Sequence, residues 1–137
     1  MHNSMQILVL GHENAGRREL EKTLTRLGYI VLSADPSTMS SPPASGDMIM
    51  FDLRGTEDSQ ESLAEALRCD DRPLVAVAEA PTDAVRRLIG RPAGTMMLTG
   101  SESDAGYRVA LSVCQALLRG VTARRAERVL STQAAVA

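Results

Sequence analysis

Asp47-Met48-Ile49-Met50-Phe51-Asp52-Leu53 is apolar almost throughout and closes on a carboxylate. A short continuous apolar run reads as a strand buried on both faces, as in a parallel sheet covered by helices. Open α/β sheets place their chemistry outside the carboxyl ends of their strands. Asp52 stands at such an end.

Outward from this strand, toward the N-terminus, Gln6-Ile7-Leu8-Val9-Leu10 is a second buried run that stops at Gly11. Arg17 to Leu27 reads as a helix, with Leu20, Leu24 and Leu27 at helical spacing and Gly28 as the stop. Tyr29 to Ser33 suits a strand. Residues 34–46 carry Pro36, Pro42 and Pro43 among serines, so they read as a loop with one turn near Ser37-Met39. Toward the C-terminus follow a helix from Glu61 to Arg68 (Leu63, Ala66 and Leu67 inward), a strand from Leu74 to Ala78 and a short helix from Asp83 to Ile89. A fifth strand, Gly94 to Leu98, precedes a helix from Ala105 to about Arg119, capped by Ser103 or Asp104.

This alternation predicts an α/β fold: a five-stranded parallel sheet with helices on both faces. The flavodoxin-like order 2-1-3-4-5 is the natural solution, with the second helix short or missing. That order sets Gly11 and Asp52 side by side at the switch point. Residues 1–120 read as one domain. Residues 121–137 are helix-prone and Arg-rich, and either prolong the last helix or link to another module.

The chain has 137 residues, 44% apolar and 23% charged, the make-up of one ordinary globular domain. A net charge of −2 gives no electrostatic reason to expect direct nucleic-acid binding. Tyr29, Phe51 and Tyr107 are the only aromatics, too few for a base-stacking platform. No run is long enough to span a membrane. Cys69 and Cys114 have no pairing pattern and no signal peptide precedes them, so reduced thiols and a cytoplasmic setting are expected. His2 and His12 are the only histidines, and no Cys/His/acid cluster has metal-ligand spacing. Gly11 to Arg18 has the Gly-x4-Gly spacing of a phosphate loop, but Arg17 and Arg18 replace its Lys and hydroxyl residue.

Glu13-Asn14-Ala15-Gly16-Arg17-Arg18-Glu19-Leu20, then Gly46-Asp47-Met48-Ile49-Met50-Phe51-Asp52-Leu53, then Leu74-Val75-Ala76-Val77 and Gly94-Thr95-Met96-Met97-Leu98-Thr99 occur in an order and spacing that resemble a response-regulator receiver domain over about residues 5 to 120. The resemblance puts Asp52 on the phosphoacceptor position. It also exposes departures. The family's two acidic positions after the first strand fall on Gly11 and His12, with Glu13 one residue later. Its hydroxyl position after the fourth strand is Ala78, and its lysine position after the fifth is Gly100. The single lysine of the chain is Lys22. Phosphoryl transfer rests on charge stabilisation around the transferred group, and here Arg54 or Arg17 would have to supply it.

What the resemblance implies is therefore a degenerate, pseudo-receiver variant in bacterial two-component phosphorelay signalling, not an enzyme. It is expected to act as a protein-interaction or dimerisation module without efficient phosphoryl switching, and with no cofactor. The expected partner is a histidine kinase or an output domain. The expected contact surface lies on the last helix, where Val109, Val113 and Leu117 recur at four-residue steps, and on the fifth strand; a homodimer is one form of it. A hydrogen bond from the amides around His12-Glu13, or from His12 itself, would satisfy Asp52. Two alternatives stand beside this reading. In one, Asp52 is phosphorylated by a histidine kinase and Mg²⁺ is held by Asp52 and Glu13. In the other, the crevice between strands one and three senses a small ligand.

Overall fold

A computed structural model describes residues 5–54 and 61–136, with the backbone alone for 38 and 121–136. Its elements are β1 (Gln6–Leu10), α1 (Ala15–Arg26), β2 (Ile30–Ala34), a 3-10 turn (Pro36–Thr38), β3 (Met48–Asp52), α2 (Glu61–Leu67), β4 (Leu74–Val77), α3 (Asp83–Ile89), β5 (Met96–Leu98) and α4 (Asp104–Val136). The five strands form one parallel sheet in the order β2-β1-β3-β4-β5, as the sequence predicts.

Alternation along each strand sends successive side chains to opposite faces. Leu8, Leu10, Ile49, Phe51, Leu74 and Ala76 meet α2 and α3 through Leu63, Ala64, Leu67, Val85 and Leu88. Ile7, Val9, Met48, Met50, Val75 and Val77 meet α1 and α4 through Leu20, Leu24, Tyr107, Leu111 and Cys114. β3 is central and buried at every residue. Removing a side chain such as Phe51 from water contributes on the order of 2–3 kcal/mol.

Local signals set the helix ends that frame the crevice. The Asn14 side chain caps α1 by accepting the Arg17 amide at 2.9 Å. Gly28, at φ +97, reverses the chain into β2. Thr82 caps α3 and Ser103 caps α4 in the same way.

Three expectations need correction. Ala64, not Ala66, completes the buried stripe of α2, because the helix is rotated to put 63, 64 and 67 inward. The fifth strand is only Met96–Leu98, since Gly94, at φ +88, forms a turn before it. The last helix does not stop near Arg119. It runs through Gly120 to Val136: a lone glycine costs a helix only about 1 kcal/mol, and no proline follows. Where the second crossover helix was expected to be short or missing, the chain has only the 3-10 turn and a loop, with Met39 packed against the core.

Candidate functional site

The parallel order brings the C-terminal ends of β1 and β3 together, so Gly11 lies against Asp52. A methyl group added at Gly11 would meet the Asp52 Cβ at 3.1 Å. Asp52 is 3% exposed. A carboxylate so deprived of water needs a partner.

That partner is Arg54, two residues on in the same chain. Its backbone amide donates to Asp52 Oδ1 at 3.0 Å. Its Nε donates to the same oxygen at 2.9 Å, and its Nη2 to Oδ2 at 2.9 Å. The guanidinium thus grips the carboxylate in the two-point geometry that suits its planar fork. Nη2 also donates to the Gly16 carbonyl at 3.1 Å, tying β3 to the first turn of α1. The Asp52 hydrogen bond holds the Arg54 pKa above its ordinary value, against the opposing effect of burial.

Gly100 makes this arrangement sterically feasible. It has φ +95, a region that side chains disfavour. A Cβ there would collide with the Arg54 guanidinium. The residue on the receiver lysine position is thus one whose lack of a side chain leaves room for a cation delivered from β3. Glu102 closes the turn: its carboxylate accepts the amides of Thr99 and Gly100 at 2.9 and 2.8 Å. Although burial opposes it, these bonds hold the Glu102 pKa below its usual value.

The remaining candidates fall elsewhere. His12 does not join Asp52. Its Nδ1 lies 3.1 Å from Ser37 Oγ and 3.3 Å from Asp35 Oδ1, beside the 3-10 turn after β2. Both Asp52 oxygens instead accept from the Arg54 amide and guanidinium. Glu13 is exposed. Arg17 donates to the Gly11 carbonyl at 2.7 Å and pairs with Glu21, so of the two candidate cations only Arg54 reaches the carboxylate. Ala78, just past the end of β4, donates its amide to the Leu98 carbonyl and has no hydroxyl to offer.

A receiver's Mg²⁺ would need oxygen ligands clustered at this end of the sheet. Among the described residues, no group of three His, Cys, Asp or Glu side chains could hold a metal ion. The Asp52 carboxylate is already paired with Arg54. These residues do not fit the ion.

Beside Arg54 opens a cleft of about 380 Å³ between α1 and the β5–α4 turn, lined by Gly16, Glu19, Thr23, Gly100, Glu102 and Tyr107. It flanks the switch point instead of occupying it. Burial, then the charge of Glu102, pushes the Tyr107 phenol above its ordinary pKa. The arginine clasp was only half legible beforehand: an Asp-x-Arg spacing was visible, but nothing in the sequence showed that Gly100 would leave Arg54 room.

On α4 the two apolar stripes take different fates. Tyr107, Ala110, Leu111 and Cys114 face the sheet, whereas Val109, Val113 and Leu117 are 66%, 42% and 45% exposed. Among the described helices, none is long and apolar enough to cross a membrane.

No protein-family model matches the chain, and no curated protein does. Solved structures do. The signal receiver domain of an HD domain-containing protein from Pseudomonas fluorescens Pf-5 is 11% identical, with 86% of this chain and 99% of that one covered and a TM-score of 0.65. A response regulator receiver protein from Sinorhizobium medicae is 20% identical, covering 85% and 96% with a TM-score of 0.59. The signal receiver domain of a signal transduction histidine kinase from Syntrophus aciditrophicus is 18% identical, covering 86% and 92% with a TM-score of 0.58. The fold of this chain, five parallel strands in the order 2-1-3-4-5 with helices around them, is that of response-regulator receiver domains.

Proposed function

We propose that the chain is a receiver-like module of bacterial two-component signalling that acts through protein contact, without efficient phosphoryl switching at Asp52. One observation carries this reading: both Asp52 oxygens are held by Arg54. A phosphoryl acceptor must present a free oxygen in line with the leaving group and must have the charge on the transferred group stabilised. Asp52 has its oxygens engaged, and Ala78 and Gly100 bring no helper. The similar receiver structures belong by name to a histidine kinase and to an HD domain-containing protein. A kinase or an output domain is accordingly the class of partner that fits. Val109, Val113 and Leu117, with Met97 on β5, supply exposed apolar surface for such a contact. The small-ligand alternative is weaker, because among the described residues the cation lining the adjacent cleft, Arg54, is already committed to Asp52.

Incubation with acetyl phosphate and Mg²⁺, read by intact mass, tests the proposal. The expected spectrum is unchanged. A gain of one phosphoryl group that Asp52→Asn abolishes would establish the active-receiver alternative instead.

A further inference from the structure

Tyr107 is 4% exposed, with its ring packed into the sheet cluster beside Leu20 and Leu111. It nonetheless lines the cleft between α1 and the β5–α4 turn. Among the described residues its hydroxyl has no hydrogen-bond partner, and that oxygen is not sealed from solvent. A phenol set so deep ordinarily finds a partner. The open side left to this one is the cleft.

The charges around that hydroxyl are unequal. Glu19 lines the cleft from α1, and Glu102 lines it from the β5–α4 turn. Although burial opposes it, the amides of Thr99 and Gly100 hold the Glu102 pKa below its usual value, so this carboxylate is charged at neutral pH. Among the described residues Arg54 is the cation that lines the cleft, and Asp52 answers its charge. With that pair neutral, the lining is left with two negative charges. The same commitment of Arg54 that weighs against a ligand at the switch point therefore sets the sign of what this neighbouring cleft accepts. Among the described residues no group of three His, Cys, Asp or Glu side chains could hold a metal ion, which leaves an organic cation. Buried Leu20 and the Tyr107 ring give the cleft an apolar wall as well.

We propose that this cleft binds a small aliphatic amine, with its ammonium held by Glu19, Glu102 and the Tyr107 hydroxyl and its carbon chain against Leu20 and the Tyr107 ring. An ammonium group is a compact donor of three hydrogen bonds, and two carboxylates with a phenol oxygen are the acceptors it needs. An aromatic wall adds attraction for a cation. Methylene groups cover apolar surface while the charged end stays polar, as a lysine stem does. The volume of about 380 Å³ lies at the small end of ligand sites, which run from about 300 to 1,000 Å³.

This site goes beyond the contact reading and stands apart from it: its test involves no phosphate, so its failure leaves the acetyl-phosphate result standing, and the reverse. Calorimetric titration of the full chain with putrescine, a four-carbon diamine, at fixed ionic strength is expected to show saturable binding. Succinate, a four-carbon dianion, is expected not to bind. Glu19→Gln, at an exposed position of α1, and Tyr107→Phe, which keeps the ring and removes the hydroxyl, are each expected to weaken putrescine binding by about tenfold or more. Tyr29→Phe leaves Tyr107 as the one tyrosine in a chain without tryptophan, and its emission is expected to change as putrescine saturates. Absence of saturable binding, undiminished affinity in Glu19→Gln, or succinate binding as tight as putrescine would overturn the assignment. Should Tyr107→Phe not fold, the emission decides for the ring: no change at saturation would put the amine elsewhere and overturn the site.

Discussion

The same clasp occurs twice in this molecule, at opposite ends of the sheet. Asp52-Leu53-Arg54 leaves the C-terminal end of β3, and Asp70-Asp71-Arg72 leads into the N-terminal end of β4. In both, the arginine amide bonds the aspartate Oδ1 (3.0 and 2.9 Å), Nε bonds the same oxygen (2.9 and 3.0 Å), and Nη2 bonds Oδ2 (2.9 and 2.7 Å). In both, the guanidinium also reaches a distant carbonyl: Gly16 in the first, Pro43 and Ser45 in the second. The second clasp stands where receiver chemistry has no counterpart. There it pins the proline-bearing loop that replaces a crossover helix. An Asp-x-Arg clasp is therefore a local structural device of this chain, and its recurrence at Asp52 needs no catalytic explanation.

The two clasps differ in what surrounds them. Arg91, 4% exposed, backs the second: it donates to the carbonyls of Leu67, Gly94, Asp70 and Arg72. Burial lowers its pKa, partly offset by the charge of Asp70. The first clasp has instead an open cleft beside it and a glycine facing it. One end of the sheet is braced by a buried cation, and the other is held, among the described residues, by Arg54.

The largest expected effect breaks the braced end. Arg91→Ala strips donors from four carbonyls in a buried setting, and a loss of about 3–5 kcal/mol in chemical denaturation is expected. A loss below about 1 kcal/mol would show that water takes over those carbonyls and that the bracing is not structural.

Next comes the singly held end. Arg54→Ala leaves a buried carboxylate without its partner, for an expected loss of about 2–3 kcal/mol, reduced by water entering from the cleft. Combining it with Asp52→Asn removes the stranded charge, so the double variant is expected to recover most of that loss. Additive losses in the double-mutant cycle would mean that the two side chains are not coupled.

The smallest effect sharpens the contrast through pH. Burial alone would raise the Asp70 pKa, but the Arg72 hydrogen bonds and charge, with Arg91 behind them, hold it below the ordinary value. A depressed carboxylate pKa stabilises the fold above the unfolded value near 3.9. That contribution is lost as pH falls through the folded value. Asp70→Asn is therefore expected to cost about 1 kcal/mol at neutral pH and progressively less as pH drops below about 4. A cost independent of pH would assign the clasp's stability to packing.

Much of the fold was legible from local pattern. Buried runs at 6–10, 48–52 and 74–77, each ending near a turn former, required a parallel sheet with both faces covered, and helical spacing at Leu20 and Leu24 required the crossover. Strand five was harder to place: it has only three residues, and Gly94 ends the extended run before it. The site was partly legible. The absence of a lysine or hydroxyl at Gly100 and Ala78 is a property of single positions and could be read directly. Residue identity left several partners open for Asp52, among them His12, its adjoining amides and Arg54, and only the packed crevice selects Arg54.

The sequence by itself determined the class of sheet, its strand order and the absence of a lysine or hydroxyl side chain at Gly100 and Ala78. These depend on periodicity and residue identity, which are local quantities. Only the tertiary structure decided that Arg54 holds Asp52, that Gly100 leaves the space for it, and that one stripe of α4 meets the sheet while the other is exposed. Each of those outcomes depends on distances between segments far apart in the chain, and such distances are set by packing.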